Sequence, residues 1–137
     1  MNGRWVLGVD IGGTNLVVAA IPVEGGAPAA IRSHRTLPGR GADAAVADIG
    51  VMAEEVITEV LDHSGGDRSD VIGVGIGCPG PLELREGVII TTPNLGWGGY
   101  PIRDRIADTL SLPATLDNDA NCATYAEWWL EIGRAHV

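Results

Sequence analysis

The stretch Asp10-Ile-Gly-Gly-Thr-Asn15 has the makings of an anion site. Adjacent glycines let backbone amides approach a phosphate closely, and Thr14 and Asn15 add side-chain donors. The ionisable residue in it is an acid, and the chain contains no lysine to act as a P-loop cation. Asp10 is expected at the end of a buried strand, where an uncompensated carboxylate is costly. It has two readings: a cap on the turn through the Gly12 or Gly13 amides, or a carboxylate that orients Mg²⁺ against phosphates, directly or through water. Spacing alone supports both.

Asp117-Asn118-Asp119 is the second group able to do chemistry. Its local sequence fits an N-cap cluster; the alternative is that Asp119 is a general base while Asn118 holds a substrate hydroxyl. Gly75-x-Gly77-x-x-Gly80 formally matches the dinucleotide fingerprint but fails on context. Cys78-Pro79-Gly80-Pro81 cannot open a pyrophosphate-binding helix, and no acid stands where a ribose partner is expected, about 20 residues on. It reads instead as a glycine-lined strand end approached by another group. His34, His63 and His136 are isolated, Glu54-Glu55 reads as a solvated helix face, and Trp97, Trp128 and Trp129 read as core or as a surface left for a partner.

The elements that must position these groups follow from periodicity. Trp5 to Val9 and Leu16 to Ile21 are short apolar runs on either side of Gly12-Gly13-Thr14-Asn15, which makes a hairpin rather than the strand–turn–helix of a P-loop. A third strand is predicted over Ala30 to Thr36. Asp43 is a plausible N-cap of a helix whose apolar stripe is Val46, Ile49, Ala53, Val56/Ile57 and Val60/Leu61, ended by Gly65-Gly66. Val71 to Gly77 is a buried strand, Val88 to Thr91 a short one, Ile102 to Leu110 a helix, Ala114 to Leu116 a strand, and Ala120 to Leu130 a last helix. The order β-β-β-α-β-α-β-α predicts a mixed five-stranded sheet with flanking helices, an α/β domain.

With 137 residues, 45% of them hydrophobic and 20% charged, the chain is one globular domain's worth. A net charge of −9 argues against a nucleic-acid partner. Cys78 and Cys122 are spaced as reduced thiols rather than a disulfide or metal pair. No signal peptide and no run of roughly 20 apolar residues is present, so the expectation is a soluble, cytoplasmic protein with no membrane partner.

Four motifs in order, Asp10 to Asn15, Gly75 to Gly80, Pro93-Asn-Leu-Gly-Trp97 and Asp117-Asn-Asp-Ala-Asn121, resemble the ROK family of sugar kinases, repressors and open reading frames. Their spacing is similar to that of its glucokinases, and the likeness runs from Leu7 to about Leu130. The resemblance implies the actin-like, ribonuclease-H-like ATPase fold, in which two lobes close over ATP and a sugar. It implies Asp119 as catalytic base for the 6-hydroxyl of a hexose, with glucose the expected one, and Asn118, Gly80 and Asn94 as sugar-binding residues. Gly12, Gly13, Thr14 and Asn15 would hold the ATP phosphates, and Asp10 would serve Mg²⁺ through water.

On this expectation residues 1–130 are an N-terminal lobe and the C-terminal lobe is absent. With that lobe would go the second phosphate loop, the adenosine pocket, a structural zinc cluster and the basis of any homo-oligomer. Residues 131–137, Glu-Ile-Gly-Arg-Ala-His-Val, match what the start of a common sequencing adaptor encodes, and are expected to be a non-native tail. A sugar-responsive repressor of the same family and an actin-like ATPase are the alternatives. The repressor is disfavoured because only six residues precede Leu7, where a helix-turn-helix would lie.

Overall fold

A computed structural model of the chain describes residues 3–36, 38–78, 81–90 and 96–118. Its centre is a sheet of five strands: β1 (Trp5–Ile11), β2 (Asn15–Pro22), β3 (Ala30–Arg35), β4 (Val71–Cys78) and, after a small hairpin, β7 (Ala114–Asn118). The hairpin is β5 (Leu82–Glu83) with β6 (Val88–Ile89). Across the main sheet the order is β3-β2-β1-β4-β7. The first three strands form an antiparallel meander, whereas β4 runs parallel to β1, and β7 parallel to β4. The mixed sheet expected from sequence is therefore present, and the predicted strand at Val88 gains a partner in β5. The predicted helix over Ala120 to Leu130 and the predicted tail over 131–137 lie outside the described residues.

Two helices cover one face of the sheet. Helix α1 (Ala42–Ser64) packs over β2 and β3, and α2 (Ile102–Leu110) packs on α1 and β7. Alternate residues of the strands, Leu7, Val9 and Ile11 in β1 and Leu16, Val18 and Ala20 in β2, point into this layer and are buried with Ile49, Ala53 and Val56 of α1. Burial of each large aliphatic side chain stabilises by roughly 1.5–3 kcal/mol, which fixes the parity of every strand. Gly50 lets the helices touch: a Cβ there would stand 2.9 Å from the Thr109 methyl.

Two local expectations are corrected. Asp43 is not the N-cap of α1; the cap is Gly41 at φ 85°, a conformation a side chain would strain, and no side chain caps the helix. Asp43 lies in the first turn, where its carboxylate accepts a 2.7 Å hydrogen bond from the Tyr100 hydroxyl. The far end matches the prediction, with Gly65 left-handed at φ 74° and its N–H donating to the Leu61 carbonyl. Nor is β1 enclosed on both faces by the described residues: its pattern alternates, and Asp10 is exposed. The cost of burying that carboxylate does not arise.

Candidate functional site

Because β1, β4 and β7 are parallel, their C-terminal ends share one edge of the sheet. Asp10 pairs in register with Gly77, and Gly77 with Asp117, so the three form one row with side chains on the face away from the helices. Two strand spacings put the Asp10 and Asp117 Cα atoms about 10 Å apart. Loop ends at the carboxyl edge of parallel strands are where α/β folds present ligand-binding groups. On the same face a cavity of about 450 Å³ runs back from Asp117 over Thr115, Gly75, Gly8 and Val6.

The turn between β1 and β2 projects from this edge. Its closing bond runs from the Gly12 N–H to the Asn15 carbonyl at 2.9 Å. Gly13, Thr14 and Asn15 are exposed, and Gly12 is half-buried. A Cβ on Gly12 would lie 3.1 Å from the Asn15 carbonyl oxygen, so a side chain there would push the closing carbonyl aside by a few tenths of an ångström. A Cβ on Gly13 would meet nothing within 4 Å, and Gly13 is not among the positive-φ glycines. The fold itself sets no requirement for glycine at 13.

Thr36, expected from the sequence to end a strand, supports this turn from below. It is 6% exposed, its hydroxyl donates to the Gly12 carbonyl at 2.8 Å, and its N–H donates to the Thr14 carbonyl at 2.8 Å. The signal was parity: Thr36 continues the helix-facing series of Ala30 and Arg32, and Arg32 ion-pairs with Glu59 of α1 at 2.8 Å.

The segment following the Pro93-Asn-Leu motif is fastened to the start of α1. Trp97 is buried, Gly99 donates to the Ile89 carbonyl, and Tyr100 reaches Asp43. Burial, and then the bond to Asp43, push the Tyr100 phenol above its ordinary pKa, so it stays a neutral donor at physiological pH.

Of the residues singled out in the sequence, the structure brings together Asp10, Gly12, Gly13, Thr14 and Asn15, with the backbone of Asn118 at the end of β7 on the same edge. Gly80, Asn94 and Asp119 lie outside the described residues. His34 and His63 are exposed, as is the Glu54-Glu55 pair, with Glu54 bound to Arg68. Among the described residues no group of three or more His, Cys, Asp or Glu side chains could hold a metal, and no helix is long and apolar enough to cross a membrane. Asp10 is exposed at this edge, and an exposed carboxylate can hold a cation that keeps most of its own water, as Mg²⁺ does.

A family model described as the ROK family matches residues 6–136. The glucokinase of Halalkalibacterium halodurans is 34% identical, the match covering 97% of this chain and 39% of that protein. The crystal structure of a ROK family glucokinase from Streptomyces griseus, in complex with glucose and AMPPNP, superposes with a TM-score of 0.73 at 28% identity, over 92% of this chain and 36% of that one. A xylose repressor from Caldicellulosiruptor bescii is 37% identical over 59 residues, 43% of this chain and 15% of the repressor. The chain thus spans well under half the length of these relatives.

Proposed function

The chain belongs to the ROK family and has the actin-like ATPase fold of its sugar kinases, and on that premise we propose that it is the N-terminal lobe of an ATP-dependent hexose kinase. The observation that carries this reading is the shared edge: the Gly12–Asn15 turn and Asp10 lie on the same edge as the end of β7, one strand away, and the next residue of the chain after β7 is Asp119. Likeness to two glucokinases supports glucose as the hexose, giving glucose 6-phosphate.

In this reading Asp119 accepts the proton of the sugar 6-hydroxyl while that oxygen attacks the γ-phosphorus in line, and ADP leaves. Phosphoryl transfer is loose, so a carboxylate suffices as base when orientation is good. Asn118 holds sugar hydroxyls, and Gly80 and Asn94 line the sugar pocket. Gly12, Gly13, Thr14 and Asn15 donate to phosphate oxygens. Mg²⁺, when bound, neutralises phosphate charge, and Asp10 is the residue that would hold it through water.

The test is ADP release by the full-length kinase with and without a panel of hexoses. Release that depends on glucose supports the reading. Hydrolysis indifferent to sugar points to an ATPase, and operator-DNA binding without turnover points to a repressor, the class to which the xylose repressor match belongs. Asp119→Ala should lower kcat by about 10²-fold or more while calorimetry still finds sugar bound; wild-type turnover in that variant would remove Asp119 as base.

A further inference from the structure

Thr36 binds two carbonyls of the phosphate turn from the side opposite solvent. Its hydroxyl takes the Gly12 carbonyl and its N–H takes the Thr14 carbonyl, each at 2.8 Å. A trans peptide is planar, with its C=O and N–H directed oppositely. Drawing the Gly12 carbonyl toward Thr36 therefore turns the Gly13 N–H away from it. In the same way, holding the Thr14 carbonyl turns the Asn15 N–H away. Both of those residues are exposed, while Thr36 is 6% exposed. The hydroxyl is thus committed to a bond that bulk water cannot easily replace.

We propose that Thr36 is a positioning residue of the nucleotide site: by holding back the Gly12 and Thr14 carbonyls, it aims the Gly13 and Asn15 amides at the ATP phosphates. This rests on the phosphate-turn reading above. A turn free to rotate would present its carbonyl oxygens to the phosphates for part of the time, and these repel an anion. Preorganised amide donors avoid that loss. A merely structural threonine would affect stability and leave the two substrates equally served.

The experiment compares Thr36→Val and Thr36→Ser in the full-length kinase, with KM for ATP and for glucose measured separately and AMPPNP affinity measured by calorimetry. Valine keeps the branched shape and removes the hydroxyl, while both variants keep the backbone bond to Thr14. Thr36→Val should raise the ATP KM and weaken AMPPNP about five- to tenfold, the scale of one hydrogen bond. Its glucose KM should move less than about twofold on the same principle, and Thr36→Ser should behave as wild type. Equal AMPPNP affinity in Thr36→Val and wild type overturns the proposal and leaves the kinase reading standing. A wild-type protein that binds no nucleotide overturns both. Should Thr36→Val not fold, Thr36→Cys against Thr36→Ser asks the same question, because a thiol is a much weaker donor. Cysteine must then weaken AMPPNP and serine must not; equal binding overturns the proposal.

Discussion

Gly12 and Gly13 are neighbours in the turn proposed to take the phosphates and are glycine for different reasons. At 12 the chain's own geometry favours it, since a Cβ would crowd the Asn15 carbonyl at 3.1 Å. At 13 the chain sets no such constraint, and on the proposed reading the space a side chain would fill is the space a phosphate needs. Gly13→Ala should accordingly fold with a melting temperature within about 2 °C of wild type, since a surface change without strain costs little. Its ATP KM should rise about tenfold or more, as a methyl group holds the phosphates off the amides. Unaltered ATP kinetics would mean that phosphate does not approach this turn. The sequence carried the glycines, the acid and the hairpin plainly. It did not carry the role of Thr36: parity along the predicted strand gives its face, but only the ladder, once formed, shows which carbonyl it meets. Nor did it carry the exposure of Asp10, since an apolar run looks alike whether one face or both are covered.

Helix α1 shows what periodicity can and cannot say about an element. Val46, Ile49, Ala53, Val56 and Val60 recur at helical spacing and are all buried, so the stripe was legible. Its C-terminal glycine was legible too. Its start was not: Asp43 has the right residue type for a cap, but the 3₁₀ turn Pro38–Arg40 delivers the chain through Gly41 instead. Tertiary contact with Tyr100 then gives the Asp43 carboxylate another partner. The short hairpin β5–β6 was half seen, since two-residue strands are beneath any pattern's resolution. Ile49, 1% exposed at the centre of the α1 interface, is the place to test this packing. Ile49→Ala should lose about 2–5 kcal/mol of stability in urea denaturation, with an unchanged slope. A loss below about 1 kcal/mol would show that α1 does not sit against the sheet as described.

For the whole molecule, the asymmetry of the sheet matters most. One face is filled by α1 and α2, while the described part of the other presents Val6, Gly8, Gly75 and a cavity. The match to the Halalkalibacterium halodurans glucokinase covers 39% of that protein, and on the proposed reading this chain supplies one lobe of a clamp. The 137 residues expressed alone should therefore show less than about 1% of the turnover of an intact homologue, because phosphoryl transfer needs charge-stabilising donors on both sides of the phosphates. A coupled assay giving comparable turnover would refute the two-lobe reading. Sequence motifs named the family from end to end, whereas the way parallel strands gather those motifs on one edge emerged only with the register.

That register also orders events in time. β1 bonds on one side to β2, its immediate successor, and on the other to β4, which comes after the whole of α1. The Gly12–Asn15 turn and its Thr36 prop lie within the first three strands, so they can form from local contacts while a ribosome is still adding α1. The row from Asp10 through Gly77 to Asp117 cannot, since it waits for distant segments to close a loop of high contact order. Refolding followed residue by residue should therefore protect the amides of the meander before those of β4 and β7. On the proposed reading, the half of the site that takes the nucleotide would then be assembled early in the life of each chain, and the half that takes the acceptor late.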